Sequence, residues 1–220
     1  MRFQGRIPSY GIPFTNFTAA AFNPQMGYIT VSDAGSYGYD YILKVEGGTL
    51  TTAGMGRKKN STYYNVSDMD YSANGLYHVA TGLISSKFIS GSITDMGSLN
   101  QVYESEAASS PMSKIRFVNN QTVIGANSLG LTSFKVVAGS SYTKYKTIGM
   151  SVKDIAQDGA NYFYVADNSR RIVSFSVSGY EVSQIGVTEL ESAISSICLS
   201  SDYLAVLTAQ NDIALFQVIE

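Results

Sequence analysis

The sequence predicts an all-β chain built from repeated four-stranded antiparallel units, and three observations carry that expectation. Short β-branched and aromatic runs recur through all 220 residues. Asn, Asp, Ser and Gly separate them at turn-length gaps, where those residues relieve or close the backbone. The runs also group into units whose opening strands start 40 to 49 residues apart, the period of a repeat architecture. Composition agrees, with 20 Gly, 16 Tyr, 10 Phe and only 15% charged residues.

The stretch Asn161 to Gly186 is the clearest unit. Tyr162 to Ala166 reads as a strand, Asp167 to Arg170 as a polar turn, Ile172 to Val177 as a second strand, Ser178-Gly179 as a tight turn and Tyr180 to Ile185 as a third strand. The opening strand of each unit starts at Phe17, Val66, Met112, Val152 and Ile194. Second strands follow at Tyr28 to Ser32, Leu76 to Ala80, Thr122 to Ala126, Tyr162 to Ala166 and Tyr203 to Leu207. Several of these are apolar on both alternations, as expected of strands covered on both faces. Third strands fall near Tyr41 to Val45, Lys87 to Ile93, Leu131 to Val137, Ile172 to Val177 and Ile213 to Val218. Fourth strands read Thr49 to Ala53, Leu99 to Tyr103, Tyr142 to Ile148 and Tyr180 to Ile185.

The fifth unit has no fourth strand of its own, whereas Met1 to Ile7 precede the first unit unassigned. The expected solution is a single domain, residues 1–220, forming a closed five-bladed β-propeller of four-stranded antiparallel blades. Its blades would be 17–58, 66–107, 112–150, 152–189 and 194–220, the last completed by residues 1–10 so that the N-terminal strand closes it and removes a raw edge. A two-sheet sandwich is the competitor, and it explains neither the period nor the complementary ends.

Tyr164-Val165-Ala166-Asp167, then Arg171-Ile172-Val173, then Gly179 resemble the repeat of the NHL and YVTN type β-propellers. The resemblance covers one unit of five and implies the propeller fold. The Gly-His and Trp-Asp signatures of WD40 repeats are missing, and the chain has no Trp. In size the ring also resembles tachylectin-type lectins, without their Trp-bearing repeats.

A formal charge of −2 provides no general electrostatic attraction to nucleic acid or to an anionic membrane, so neither is expected as a partner. No signal-like apolar segment opens the chain and no run of 18 apolar residues occurs, which predicts a soluble protein made without a secretory leader, cytoplasmic or virion-associated. The single Cys198, within the apolar run Ile194 to Leu199, is expected to be a buried structural thiol. One His and one Cys cannot supply a zinc site, and no other metal or cofactor is implied. Sequons at Asn16, Asn60, Asn65 and Asn120 arise readily in so Asn/Ser/Thr-rich a chain.

His78, the one histidine, lies inside a second strand and reads as a satisfied core residue rather than a catalytic base. Asp33 and Asp167 end second strands, with Thr81, Asn127 and Thr208 at matching positions. Oxygen atoms ringing one rim could hold Ca²⁺ or serve a five-bladed glycosidase. The simpler expectation is that they cap strand ends and start turns. Arg57-Lys58-Lys59 with Tyr63 and Tyr64 form a basic and aromatic cluster on the connection between the first two units. Glu104 to Glu106 lie on the next connection, so that opposite charges would share a rim. Tyr37, Tyr39 and Tyr41 sit in a Ser/Gly/Tyr tract of paratope-like composition. The expected function is therefore a non-catalytic interaction or structural module, binding other proteins of a larger assembly such as a viral or phage particle through these rim residues. A lectin-like carbohydrate-binding propeller is the alternative, and a glycosidase-like hydrolase the third.

Overall fold

The computed structural model describes residues 17–33, 39–46, 49–57, 66–82, 87–95, 98–137, 141–158, 160–200 and 202–218. They form nineteen strands in five antiparallel sheets, each a meander in chain order. The first sheet is β1 (Phe17–Asn23), β2 (Tyr28–Asp33), β3 (Tyr39–Glu46) and β4 (Thr49–Arg57). The second is β5 (Val66–Tyr71), β6 (Tyr77–Gly82), β7 (Phe88–Asp95) and β8 (Ser98–Glu104). The third is β9 (Met112–Asn119), β10 (Thr122–Asn127), β11 (Gly130–Val137) and β12 (Ser141–Ile148). The fourth is β13 (Asp154–Gln157), β14 (Tyr162–Ala166), β15 (Arg171–Ser178) and β16 (Glu181–Glu189). The fifth has three strands among the described residues: β17 (Ile194–Leu199), β18 (Tyr203–Thr208) and β19 (Ile213–Gln217).

The expected strands are thus present with small shifts of their ends. Two strands run four residues beyond their expected ends: β16 to Glu189, and β4, which continues through Gly54-Met55-Gly56 to Arg57 past a register shift between Ile42 and Leu43 that leaves Ala53 unpaired. Tyr39 and Arg57 are consequently cross-strand partners on a ladder rather than loop residues. The pairing expected between Met1 to Ile7 and β19 lies outside the described residues.

Side-chain alternation decides how the sheets stack. Opening strands pack successively, β1 on β5, β5 on β9, β9 on β13 and β13 on β17. Each seam has its own apolar core. Ala21, Tyr28 and Ile42 meet Val66, Met69 and Ala80 in the first, and Phe88 meets Phe117, Phe134 and Tyr142 in the second. Ile124 and Leu131 meet Phe163 and Phe175 in the third, and Ala166 and Ile172 meet Ile197 and Val206 in the fourth. All six residues of β10 are buried, as a strand covered on both faces requires. Across the tight turn that follows, a Cβ on Gly130 (φ 141°) would stand 2.0 Å from the Ile148 carbonyl oxygen, so only glycine lets β12 approach there.

Candidate interaction site

The strand-end polar residues are committed to their own turns. Asp167, 1% exposed, accepts from the Ser169 amide (2.8 Å) and hydroxyl (2.6 Å) and from the Arg171 amide (3.0 Å) and Nε (2.6 Å). Burial works against its charge. The donors from Ser169 and Arg171 outweigh burial and hold its pKa down at about 2. Asn127 accepts from the amides of Leu129 and Gly130, and Thr208 Oγ1 from those of Gln210 and Asp212. Thr81 donates its hydroxyl to the Met112 carbonyl at 3.0 Å. Asp33 ends β2 opposite Phe17. Asp167, Asn127 and Thr208 are therefore turn fasteners and Thr81 is a seam fastener.

His78 is buried, with its ring 5.1 Å from that of Tyr71, whose hydroxyl bonds Thr30 across the first seam. Tyr41 is corrected: at 6% exposure it belongs to the interior, because its place on β3 opposite Val31 turns the ring inward. Tyr37, Lys58, Lys59, Tyr63 and Tyr64 lie outside the described residues, and Tyr39 and Arg57 are placed only as backbone partners. On the acidic connection, Glu106 is exposed and accepts from the Lys144 amide of the third sheet at 2.9 Å, while Ser105 is buried and donates its hydroxyl to the Glu106 carbonyl. Cys198 is also corrected. It is exposed, because β17 turns Ile197 toward the fourth sheet and the next residue outward.

The sequence pattern left one set of charges unread. Each opening strand is the edge of its sheet, so its outward amides need acceptors from elsewhere. Asp68 Oδ2 on β5 accepts from the Ile115 amide of β9 at 2.8 Å and from Arg116 Nη1. Asp70 Oδ2 accepts from the Phe117 amide at 2.8 Å. Two seams along, Asp154 Oδ2 accepts from the Ile197 amide (3.0 Å) and the Ser196 hydroxyl (2.6 Å) of β17, while its Oδ1 meets Lys114 Nζ at 3.1 Å. Carboxylates of one sheet thus satisfy the edge of the next. Aligning the five opening strands column by column would have exposed this: the third position reads Ala19, Asp68, Lys114, Asp154, Ser196, and the fifth reads Ala21, Asp70, Arg116, Ala156, Cys198.

Burial raises the Asp70 pKa to about 6 despite the opposing Arg116 guanidinium and Phe117 amide. Its folded value lies above the unfolded 3.8, so the stability it contributes is complete below about pH 4 and is lost as pH rises through 6. Asp70→Asn should therefore be more stable than the parent at pH 7.5 by about 1–3 kcal/mol, with the gap closing toward pH 4. Urea melts at the two pH values check this. A gap that does not change with pH would refute it.

Among the described residues, the two most exposed large apolar side chains lie on the fifth sheet. Ile213 and Leu215 on β19 are 70% and 65% exposed, and Tyr203, Leu207 and Cys198 lie exposed on the same side of the sheet. Among the described residues nothing packs on this side as the other sheets pack on one another. Beside β19 a groove of about 300 Å³ runs between the fourth and fifth sheets, its apolar wall made by Ile172, Ile185 and Phe216 and its polar wall by Ser174, Thr188 and Gln217. Ile185 on its wall is 57% exposed. The exposed Ile185 side chain continues the apolar surface of Ile213 and Leu215 along the groove.

Solved structures that superpose on the chain include the following two. A chain of the "Crystal Structure of Mitotic Checkpoint Complex" superposes with TM-score 0.67 at 8% identity, covering 91% of this chain and 63% of its own. A protein from Lactobacillus plantarum superposes with TM-score 0.63 at 14% identity, covering 91% and 70%. The fold is a β-propeller. No family model matches the chain, and no curated protein matches it in sequence. The propeller described here spans less than two thirds of the length of the checkpoint-complex chain. Among its described residues no helix is long and apolar enough to cross a membrane, and no three His, Cys, Asp or Glu side chains gather as a metal site would require.

Proposed function

We propose that this propeller is a non-catalytic interaction module, a structural building block of a larger assembly such as a viral or phage particle. One of its five units, through Tyr164 to Asp167, Arg171 to Val173 and Gly179, resembles the NHL and YVTN repeat. The observation that carries the functional reading is the uncovered apolar side of the fifth sheet with its adjoining groove. The strand-end oxygens described at Asp167, Asn127 and Thr208 support it too, since each is saturated by its own turn. One structural neighbour was solved in a named multiprotein complex, which gives the fold a precedent for such a role.

The test is co-sedimentation of the purified chain with the structural proteins encoded beside its gene, alongside a glycan array and a glycosidase substrate panel. Binding to one of those proteins, weakened at least tenfold by Ile185→Lys, is the expected result. Glycan binding that survives Ile185→Lys would install the carbohydrate-binding alternative. A hydrolase activity abolished by Asp33→Asn would install the enzyme.

A further inference from the structure

We infer that the fifth sheet is a hinged flap, swinging as one body on its inner strand β17 and the linker 190–193, with the Asp154 carboxylate as its latch. The interaction-module reading gives this motion a use, and the motion itself is tested without any partner.

The described seams differ in how far out they are fastened. Between the first and second sheets, Asn23 Nδ2 donates to the Gly75 carbonyl at 2.9 Å, Thr30 bonds the Tyr71 hydroxyl, and β4 touches β8 at the outer edge. Between the second and third, Asp68 and Asp70 hold the inner strands, the Lys144 amide of β12 reaches Glu106, and β8 touches β12. Between the third and fourth, Lys114 meets Asp154 on the inner strands, and Thr122 Oγ1 donates to the Gly179 carbonyl at 2.7 Å. Farther out, Tyr145 bonds Glu181, and Lys135 Nζ lies 4.2 Å from the centre of the Tyr180 ring.

The fourth and fifth sheets are held otherwise. Among the described residues, the hydrogen bonds that cross this seam run from the Ser196 hydroxyl and the Ile197 amide, both on β17, to Asp154 Oδ2. Ile197 also packs into the apolar core of the seam with Ala166, Ile172 and Val206. Beyond that core the groove separates Ile185, Gly186 and Thr188 of β16 from Phe216 and Gln217 of β19. On its other side the sheet shows Ile213 and Leu215 to solvent, so no described element braces it from behind. A sheet fastened along one strand and open at its outer edge gives way there first, since outward rotation breaks the fewest contacts in that direction. Rotation would bare Tyr164, Leu204 and Phe216 beside Ile185, so the flap sets how much apolar surface a partner meets.

Amide hydrogen exchange of the full chain near neutral pH tests the flap. Amides of β18 and β19 should exchange as one group, ahead of those of β10 and β14. Ser196→Ala, which removes one latch bond, should speed exchange across both β18 and β19 about tenfold and leave β10 and β14 unchanged. Ser196→Thr, which keeps the hydroxyl, should restore the parent rates. Exchange in β18 and β19 as slow as in β10 overturns the inference, because the sheet would then be held at its outer edge as well. So does a Ser196→Ala effect confined to Ile197, which would report one lost bond and no moving sheet. In either case partner binding that is still lost on Ile185→Lys would leave the interaction-module reading standing.

Discussion

Phe88→Ala should destabilise the protein by about 4 kcal/mol and lower its melting temperature by roughly 8–16 °C, in proportion to its size. Phe88 is fully buried at the seam between the second and third sheets, with ring centroids 5.0 Å from Phe134 and 4.9 Å from Tyr142, both edge-on. Truncation removes the transfer free energy of the ring. It also opens a cavity and breaks two aromatic contacts from the far side of the seam, each contributing about 0.5–1.5 kcal/mol. Nothing adjacent is free to collapse into the space, since Phe117, Val123 and Phe134 are themselves fully buried and in contact. Urea unfolding measures the loss. A change below about 1 kcal/mol would mean that the second and third sheets do not depend on this seam.

Asp154→Ala should cost about 3–5 kcal/mol at pH 7, more than its single ion pair with a partly exposed lysine would suggest. The substitution strands four donors at once: the Ile197 and Ile155 amides, the Ser196 hydroxyl and Lys114. Burial acts to raise the Asp154 pKa, but the Ser196 and Ile197 hydrogen bonds and the Lys114 charge outweigh it and hold the value below the ordinary carboxylate range. The folded value lies below the unfolded one, so this stability is present above about pH 4 and is lost as pH falls through the folded value. Parent and variant should therefore converge in strong acid. Amide exchange provides a local check, because Ile197 should lose protection in the variant before the interior of the third sheet does. Equal protection of Ile197 in both proteins would remove the carboxylate from its assigned role.

The repeat was legible because strand alternation and turn chemistry are local. Tyr162 to Ala166, a polar turn and Ile172 to Val177 announce a hairpin whatever lies around them, and β14 and β15 occupy those residues. The seams were less legible, since they depend on which face of a strand meets which neighbour. Cys198 shows the limit: an apolar run suggested a buried thiol, but period-two alternation places it opposite in sense to Ile197, on the side left uncovered. Tyr41 erred in the other direction, because a Tyr/Gly/Ser tract has the same composition in a binding loop and in a strand that turns its ring inward. The acids of the opening strands went unread for a third reason. Asp68 and Asp70 within an apolar strand look like solvent-facing alternation until the neighbouring edge is known to need acceptors.

Those acids also give the five sheets an order. Their backbones are near copies, and a chain of interchangeable repeats could stack them in any sequence or skip one during folding. Here Asp68 and Asp70 face Arg116, and Lys114 faces Asp154, which in turn needs the hydroxyl of Ser196. Exchanging the third and fourth repeats would set Asp154 beside Asp68 and Asp70, and would leave Lys114 and Arg116 against uncharged Ser196 and Cys198. Like charges would then meet at the seam that follows the second repeat, and the shuffled stack is penalised there. The carboxylates act as an address on each repeat. A gene assembled by duplicating one four-stranded unit would acquire, through the charges at Asp68, Asp70, Lys114, Arg116 and Asp154, the means to tell its copies apart.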